Sequence, residues 1–234
     1  MNNTTLQLKI KQRLNKLASN DYDNLECWQI IEAFNKAQIQ WVRRQIMGAN
    51  QLREAAEQST LKIGDLQILL TEVNLNLTQN QIYAESQELP SDFLHHNRIE
   101  AFVKKDCCPD EQMIYVYLAQ EANIPALLEN DFTKPSFQWG ETFGTYAGNR
   151  FRIYNNNEFN IVNAKLMYYR SPTKIQIAGC VDPYSLQQSN TNVICEFKDD
   201  IAEILADETA KILSGDIESF NQYSIQSGSV TTNT

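Results

Sequence analysis

The sequence predicts an α+β fold: an antiparallel, β-rich central region flanked by N-terminal and C-terminal helices. Three observations carry this. Apolar residues recur at helical spacing over roughly residues 1–60. From about 61 to 182 they alternate with polar residues at a period of two. Helical spacing returns over about 197–226, followed by a polar tail at 227–234. There is no internal repeat and no long linker, so the chain reads as one structural unit over 1–234.

In the first helix, Leu6, Ile10, Leu14 and Leu17 share one face. Ser19-Asn20-Asp21 breaks it, and Asp23 with Glu26 reads as a capping box for a second helix reaching Met47, before Gly48. That helix carries two apolar stripes. One is Cys27, Ile31, Phe34, Ala37 and Trp41, and the other is Trp28, Ile39, Val42 and Ile46. A helix lying on one surface needs only one stripe. The second stripe is therefore either a second core contact or a face for a neighbouring subunit.

In the middle zone, Val73, Leu75 and Leu77 alternate with polar residues, as a half-buried strand does. Met113 to Leu118 is aromatic and β-branched, which favours a strand. Phe143 to Tyr146 and Phe151 to Tyr154 flank Ala147-Gly148-Asn149-Arg150, a hairpin signal. Phe159 to Tyr169 predicts a long strand stopped at Ser171-Pro172, because proline cannot donate to a ladder. Ile175 and Ile177 predict one more strand, closed by Gly179. In the terminal helix, Asp200 and Glu203 form a capping box, and Phe197, Ile201, Ile204, Leu205 and Ile212 lie near one face. Gly215 is placed to stop it, and Asp216 could cap a short helix carrying Ile217 and Phe220.

Charge narrows the function. The net charge is -9, and the Lys and Arg residues are scattered rather than clustered. Gripping nucleic acid requires clustered cations to neutralise phosphates, so that class is disfavoured. An acidic wall past which DNA slides is compatible. No run approaches the roughly 18 apolar residues of a membrane span, and the N-terminus lacks a secretory pattern. Five cysteines without framework spacing lead us to expect free thiols in a reducing cytosol.

Chemistry is sparse. His95, His96, Cys107 and Cys108 are the only His/Cys set within a short stretch, but adjacent residues rarely reach one ion as C-x₂₋₄-C spacing does. Glu203, Asp207 and Glu208 read as a solvated helix face. The aromatic set Tyr146, Phe151, Tyr154, Phe159, Tyr168 and Tyr169 lacks basic partners and reads as sheet packing. Neither a phosphate loop nor a dinucleotide turn is present. The expectation is a non-enzymatic protein with no cofactor and no metal. The competing readings are a small cytosolic hydrolase or metal-dependent enzyme built on His95/His96 and Cys107/Cys108, and a monomeric adaptor that binds a peptide at its sheet edge.

Two stretches carry a family likeness. One is Lys134 to Cys180, with the strand ending in Tyr-Tyr-Arg-Ser-Pro, and the other is the helix from Phe197 to Tyr223 containing Ala-Asp-Glu-Thr-Ala. With the segment Leu89 to Phe102, their order resembles the ring and neck proteins of short-tailed bacteriophages, closest to the ring proteins of crAss-like phages. It is similar, more distantly, to tail tubular adaptors. The resemblance implies a virion protein of the neck or tail barrel, made in the host bacterial cytoplasm. Its copies would form a closed, dodecameric ring below the portal. Its partners would be itself, the portal protein and other ring and tail proteins, with DNA passing through unbound and no membrane contact. Candidate subunit-interface residues are Trp28, Ile39, Val42 and Ile46, with the turn Ala147, Gly148, Asn149 and Arg150.

Overall fold

The computed structural model describes residues 1–14, 25–47, 64–105, 108, 110–183 and 185–216. Leu17, the Asp23 cap, Cys107, the short helix with Ile217 and Phe220, and the tail at 227–234 lie outside the described residues. In chain order the helices are α1 (Asn3–Leu14), α2 (Cys27–Met47), α3 (Ile124–Glu129) and α4 (Asp199–Asp216). The strands are β1 (Leu70–Leu75), β2 (Leu77–Gln79), β3 (Tyr83–Ser86), β4 (Phe93–Lys104), β5 (Gln112–Leu118), β6 (Glu141–Ala147), β7 (Arg150–Tyr154) and β8 (Asn160–Arg170). The fold is α+β, as the periodicities predict. Where the sequence reads as one unit, the chain divides into two compact ones: Met1–Ile68 with Pro172–Thr234, and Leu69–Ser171.

The first unit is helical. Asn2 caps α1, its Oδ1 accepting from the Thr5 N–H at 2.7 Å. Gln29 Oε1 accepts from the Glu26 N–H at 3.0 Å, a hydrogen bond at the start of α2. Leu6, Ile10 and Leu14 of α1 are buried, as are Ile30, Phe34, Ala37, Trp41 and Val42 of α2. Both helices pack on α4, whose buried face is broad for that reason. Ala202, Ala206, Ala210 and Ser214 recur every fourth residue along α4, so neighbouring helices can approach closely. Trp41 meets Phe197 edge to face at 5.3 Å.

Three details of α4 correct the sequence reading. The helix begins at Asp199, not after a cap at Asp200, and it runs through Gly215 to Asp216. Its carboxylates are not a solvated face. Glu203 pairs with Lys9 and Arg13, Asp207 pairs with Arg13, and Glu208, 2% exposed, pairs with Arg44. The cations come from helices distant in sequence, so local spacing carried no sign of them.

The segment from Pro172 to Lys198 completes this unit, and it differs from the strand predicted at Ile175 and Ile177. Among the described residues of this segment only isolated bridges form, Gln176 with Val193 and Val181 with Gln188. Side chains hold the segment instead. Asn3 Nδ2 donates to the carbonyls of Gln176 and Val193 at 2.8 and 3.0 Å. Asn35 Oδ1 accepts from the Ile175 N–H at 2.9 Å. Cys180 is joined to Cys27 at the start of α2, with the two Cα atoms 5.8 Å apart. The expectation that every thiol is free therefore does not hold. The partners lie 153 residues apart, beyond any framework spacing.

The second unit is an eight-stranded sheet in the order β1-β8-β4-β5-β6-β7-β3-β2. Its two outermost strands, β1 and β2, are consecutive pieces of one run, interrupted only at Asn76. That run pairs with β8 on one side and with β3 on the other, which closes the sheet into a near-barrel. Near-closure shortens the exposed edges that invite aggregation. The Gln79 side-chain amide, donating to the Ile161 carbonyl, ties β2 to β8 across the seam. Every pair is antiparallel except β5–β6, which is parallel and needs the long crossover containing α3.

Alternation sets the interior. Ile99, Ala101 and Val103 of β4, Ile114 of β5, Phe151 and Ile153 of β7, and Ala164, Leu166 and Tyr168 of β8 form one buried cluster. Register shifts in the β4–β8 pair bend these long strands around it. The predicted hairpin is present: β6 and β7 meet at a two-residue turn, with Gly148 at φ 64°. The aromatic set packs as predicted, with Phe151, Tyr154, Phe159 and Tyr168 buried. Tyr154 and Phe143 form a second cluster with Ile124 of α3 outside the barrel.

Candidate assembly surface

Strand β5 is apolar on both faces. Ile114 points into the barrel, while Met113, Tyr115 and Tyr117 stand on the outside, 41, 51 and 59% exposed. The register places Phe102 of β4 opposite Met113, Glu100 opposite Tyr115, and Phe143 of β6 opposite Tyr117. The outer face of the barrel thus carries a row of large apolar side chains flanked by Glu100 and Glu141. Close by in sequence, the crossover before β6 displays Phe132 and Trp139, 92 and 79% exposed. Their loop is held by its own hydrogen bonds: Asn130 Oδ1 accepts from the Phe132 N–H at 2.9 Å, and Ser136 Oγ from the Trp139 N–H at 3.2 Å. Scattered apolar side chains are ordinary on a surface, but a contiguous row marks a contact site.

The sequence reading missed this row. Its signal was available, because Met113 to Leu118 lacks the polar alternation of a strand with one wet face.

The residues proposed from sequence fall in three places. Val42 is fully buried, so it is a core position of the helical unit and not a surface. Helix α2 packs against α4, and Trp41, the residue before Val42, meets Phe197 just ahead of that helix. Trp28, Ile39 and Ile46 are half-buried on α2. The turn lies on the sheet unit, with Gly148, Asn149 and Arg150 exposed and Ala147 half-buried. Two contacts brace it: the Asn149 carbonyl accepts from the Leu89 N–H at 2.9 Å, and Arg150 pairs with Glu85 at 3.2 Å.

His95 and His96 begin β4 at an irregular register, with their rings 5.2 Å apart. Burial lowers the pKa of both, and the charge of His95 lowers His96 further. The His96 ring also meets Tyr146, whose hydroxyl pKa is raised by burial. Cys108 follows the opposite end of β4. Eight residues of strand separate His96 from Lys104, on the order of 26 Å at strand rise, so the structure does not bring Cys108 to the histidines. Among the described residues, no group of three or more His, Cys, Asp or Glu side chains is placed to hold a metal ion.

The helical unit contains an open cavity of about 580 Å³ between α2 and the Pro172–Lys198 segment. Trp28, Asn35, Ile175, Cys180 and Gln188 contribute to its lining. Much of its polar wall is already engaged, with Gln188 Nε2 donating to the Gly179 carbonyl and Asn35 clamping Ile175. Among the described residues, no helix is long and apolar enough to cross a membrane. Compared with known protein families and with curated proteins, the chain matches none.

Proposed function

We propose that this chain is a structural virion protein whose copies form a ring in the neck or tail barrel of a short-tailed bacteriophage, around the channel for genome passage. The observation that carries the reading is the exposed apolar row on β5. The near-barrel leaves little free edge for strand addition, and its outer face presents Met113, Tyr115 and Tyr117 to solvent. The family likeness of Lys134–Cys180 and Phe197–Tyr223 supports it. The acidic balance supports a channel wall that does not retain DNA. A ring needs a heterologous contact, one patch meeting a different patch on the next copy. The β5 row is one such patch. Trp28, Ile39 and Ile46 on α2 are candidates for the other.

The test is a charge placed on the row. Tyr115→Asp and Tyr117→Asp put an unpaired carboxylate at the centre of a contact but alter no core residue. Each variant is expected to keep the wild-type circular dichroism spectrum and to be lost from assembled particles. A folded Tyr115→Asp/Tyr117→Asp chain that assembles normally would remove β5 from the interface.

A further inference from the structure

We infer that Cys27 and Cys180 form a reversible redox staple, open in a reducing cytoplasm and closed once the chain meets an oxidising medium. The inference is independent of the ring reading. Three observations carry it. The two cysteines are bridged across 153 residues of sequence, so the bond ties the start of α2 to a segment far along the chain. Among the described residues, the segment that Cys180 belongs to has no regular strand or helix between Pro172 and Lys198, and its bridges are isolated ones. A covalent tie at its tip, beside the Gly179 turn (φ 89°), therefore changes how firmly it is held. Finally, Cys180 lines the open cavity, which gives a small thiol or disulfide a route to the sulfur although the residue is only 5% exposed.

Closure follows thiol–disulfide exchange with a low-molecular-weight disulfide such as oxidised glutathione. One cysteine thiolate attacks a glutathione sulfur. A mixed disulfide forms and the first glutathione thiolate leaves. The second cysteine, after losing its proton, attacks the protein-side sulfur. The Cys27–Cys180 bond forms and the second glutathione thiolate leaves. Two electrons pass from the cysteines to glutathione disulfide, and the two released protons are taken up by the leaving thiolates. Excess reduced glutathione runs the same steps backwards. The third cysteine of this unit described by the structure, Cys195, is buried against Gln38 and lies outside the exchange.

The full chain is equilibrated in glutathione mixtures, acid-quenched, denatured and alkylated, and its mass is read. The reduced chain should carry five tags and the oxidised chain three, five less the two in the bridge. Peptide mapping should find the link between Cys27 and Cys180. A cytoplasm-like excess of reduced glutathione should give the five-tag form and an oxidising mixture the three-tag form. Native-state trypsin cleavage at Lys174, exposed within the segment, should slow by about tenfold or more on oxidation, and the change should vanish in Cys27→Ser. Cys180→Ser, with its fold checked by circular dichroism, guards against a variant-specific defect. A pair that stays bridged in the reducing mixture is permanent, and the staple idea fails. A pair that never bridges, or a bridge that leaves cleavage unchanged, also overturns it.

Discussion

Replacing Gly144 by alanine tests how the barrel is built. Gly144 is buried on β6, where a Cβ would stand 2.5 Å from Phe151 Cε1 and 2.6 Å from the Arg152 carbonyl oxygen. Real Cβ contacts are essentially never below 3.0 Å, so something must shift. The Phe151 ring, 1% exposed, is pinned edge to face on Tyr146 at 5.1 Å. The Arg152 carbonyl belongs to the neighbouring strand. Overpacking of this kind costs about 1–3 kcal/mol, and two obstructions, one of them backbone, place Gly144→Ala at the upper end. Urea denaturation should show a lower midpoint at an unchanged m-value. Phe151→Ala alone should cost about 3–5 kcal/mol. In that background Gly144→Ala should cost less by about 1 kcal/mol or more, the remainder reflecting the carbonyl. A neutral or stabilising Gly144→Ala, or an equal cost in both backgrounds, would refute the placement of the ring over Gly144.

Four further outcomes follow from the packing of the two units. Arg44→Met strips the cation from a Glu208 carboxylate that is 2% exposed and should cost about 3–5 kcal/mol, whereas the Arg44→Met/Glu208→Met pair should recover most of it; denaturant melts decide. Leu205→Ala, at a fully buried position of α4, should cost about 2–5 kcal/mol, and Val42→Asp should unfold the helical unit rather than merely block assembly, both read by circular dichroism. The histidines give a pH dependence. Their folded pKa values lie below the ordinary 6.5, so the unfolded chain binds more protons, and their contribution is complete above about pH 6.5 and is lost as pH falls through the folded values. Melting temperature measured from pH 8 to 5 should fall more steeply in the wild type than in His95→Asn/His96→Asn.

What the sequence made legible was local. The hairpin at Gly148-Asn149 needs a residue at positive φ, and glycine supplies it. The long β8 strand ends where Pro172 cannot donate, and Leu205 falls on the stripe that is buried. What stayed hidden depends on contacts far apart in the chain. Glu203, Asp207 and Glu208 resemble a wet face until Lys9, Arg13 and Arg44 arrive from α1 and α2. Ile175 has strand character, yet it is buried in irregular chain because Asn3 and Asn35 satisfy the backbone there. The Cys27–Cys180 pair follows no local spacing. Barrel closure turns on residues 70–79 pairing with β8 and β3 at once, and periodicity cannot report a strand's neighbours.

The β5 row was half legible. Met113 to Leu118 reads as a strand, and its doubly apolar pattern is what a strand covered on both faces shows. The barrel interior accounts for Ile114, and half-buried Val116 packs against the same core. The other face is left exposed, and it is the face that the proposed assembly would cover.

The most direct test of that assembly is an electron cryomicroscopy reconstruction of particles that contain this chain, without imposed symmetry. The account predicts several copies related by a rotation axis that closes into a ring, with the β5 row of each copy covered by the next. Particles in which the chain occurs as single copies with no rotational symmetry would contradict it.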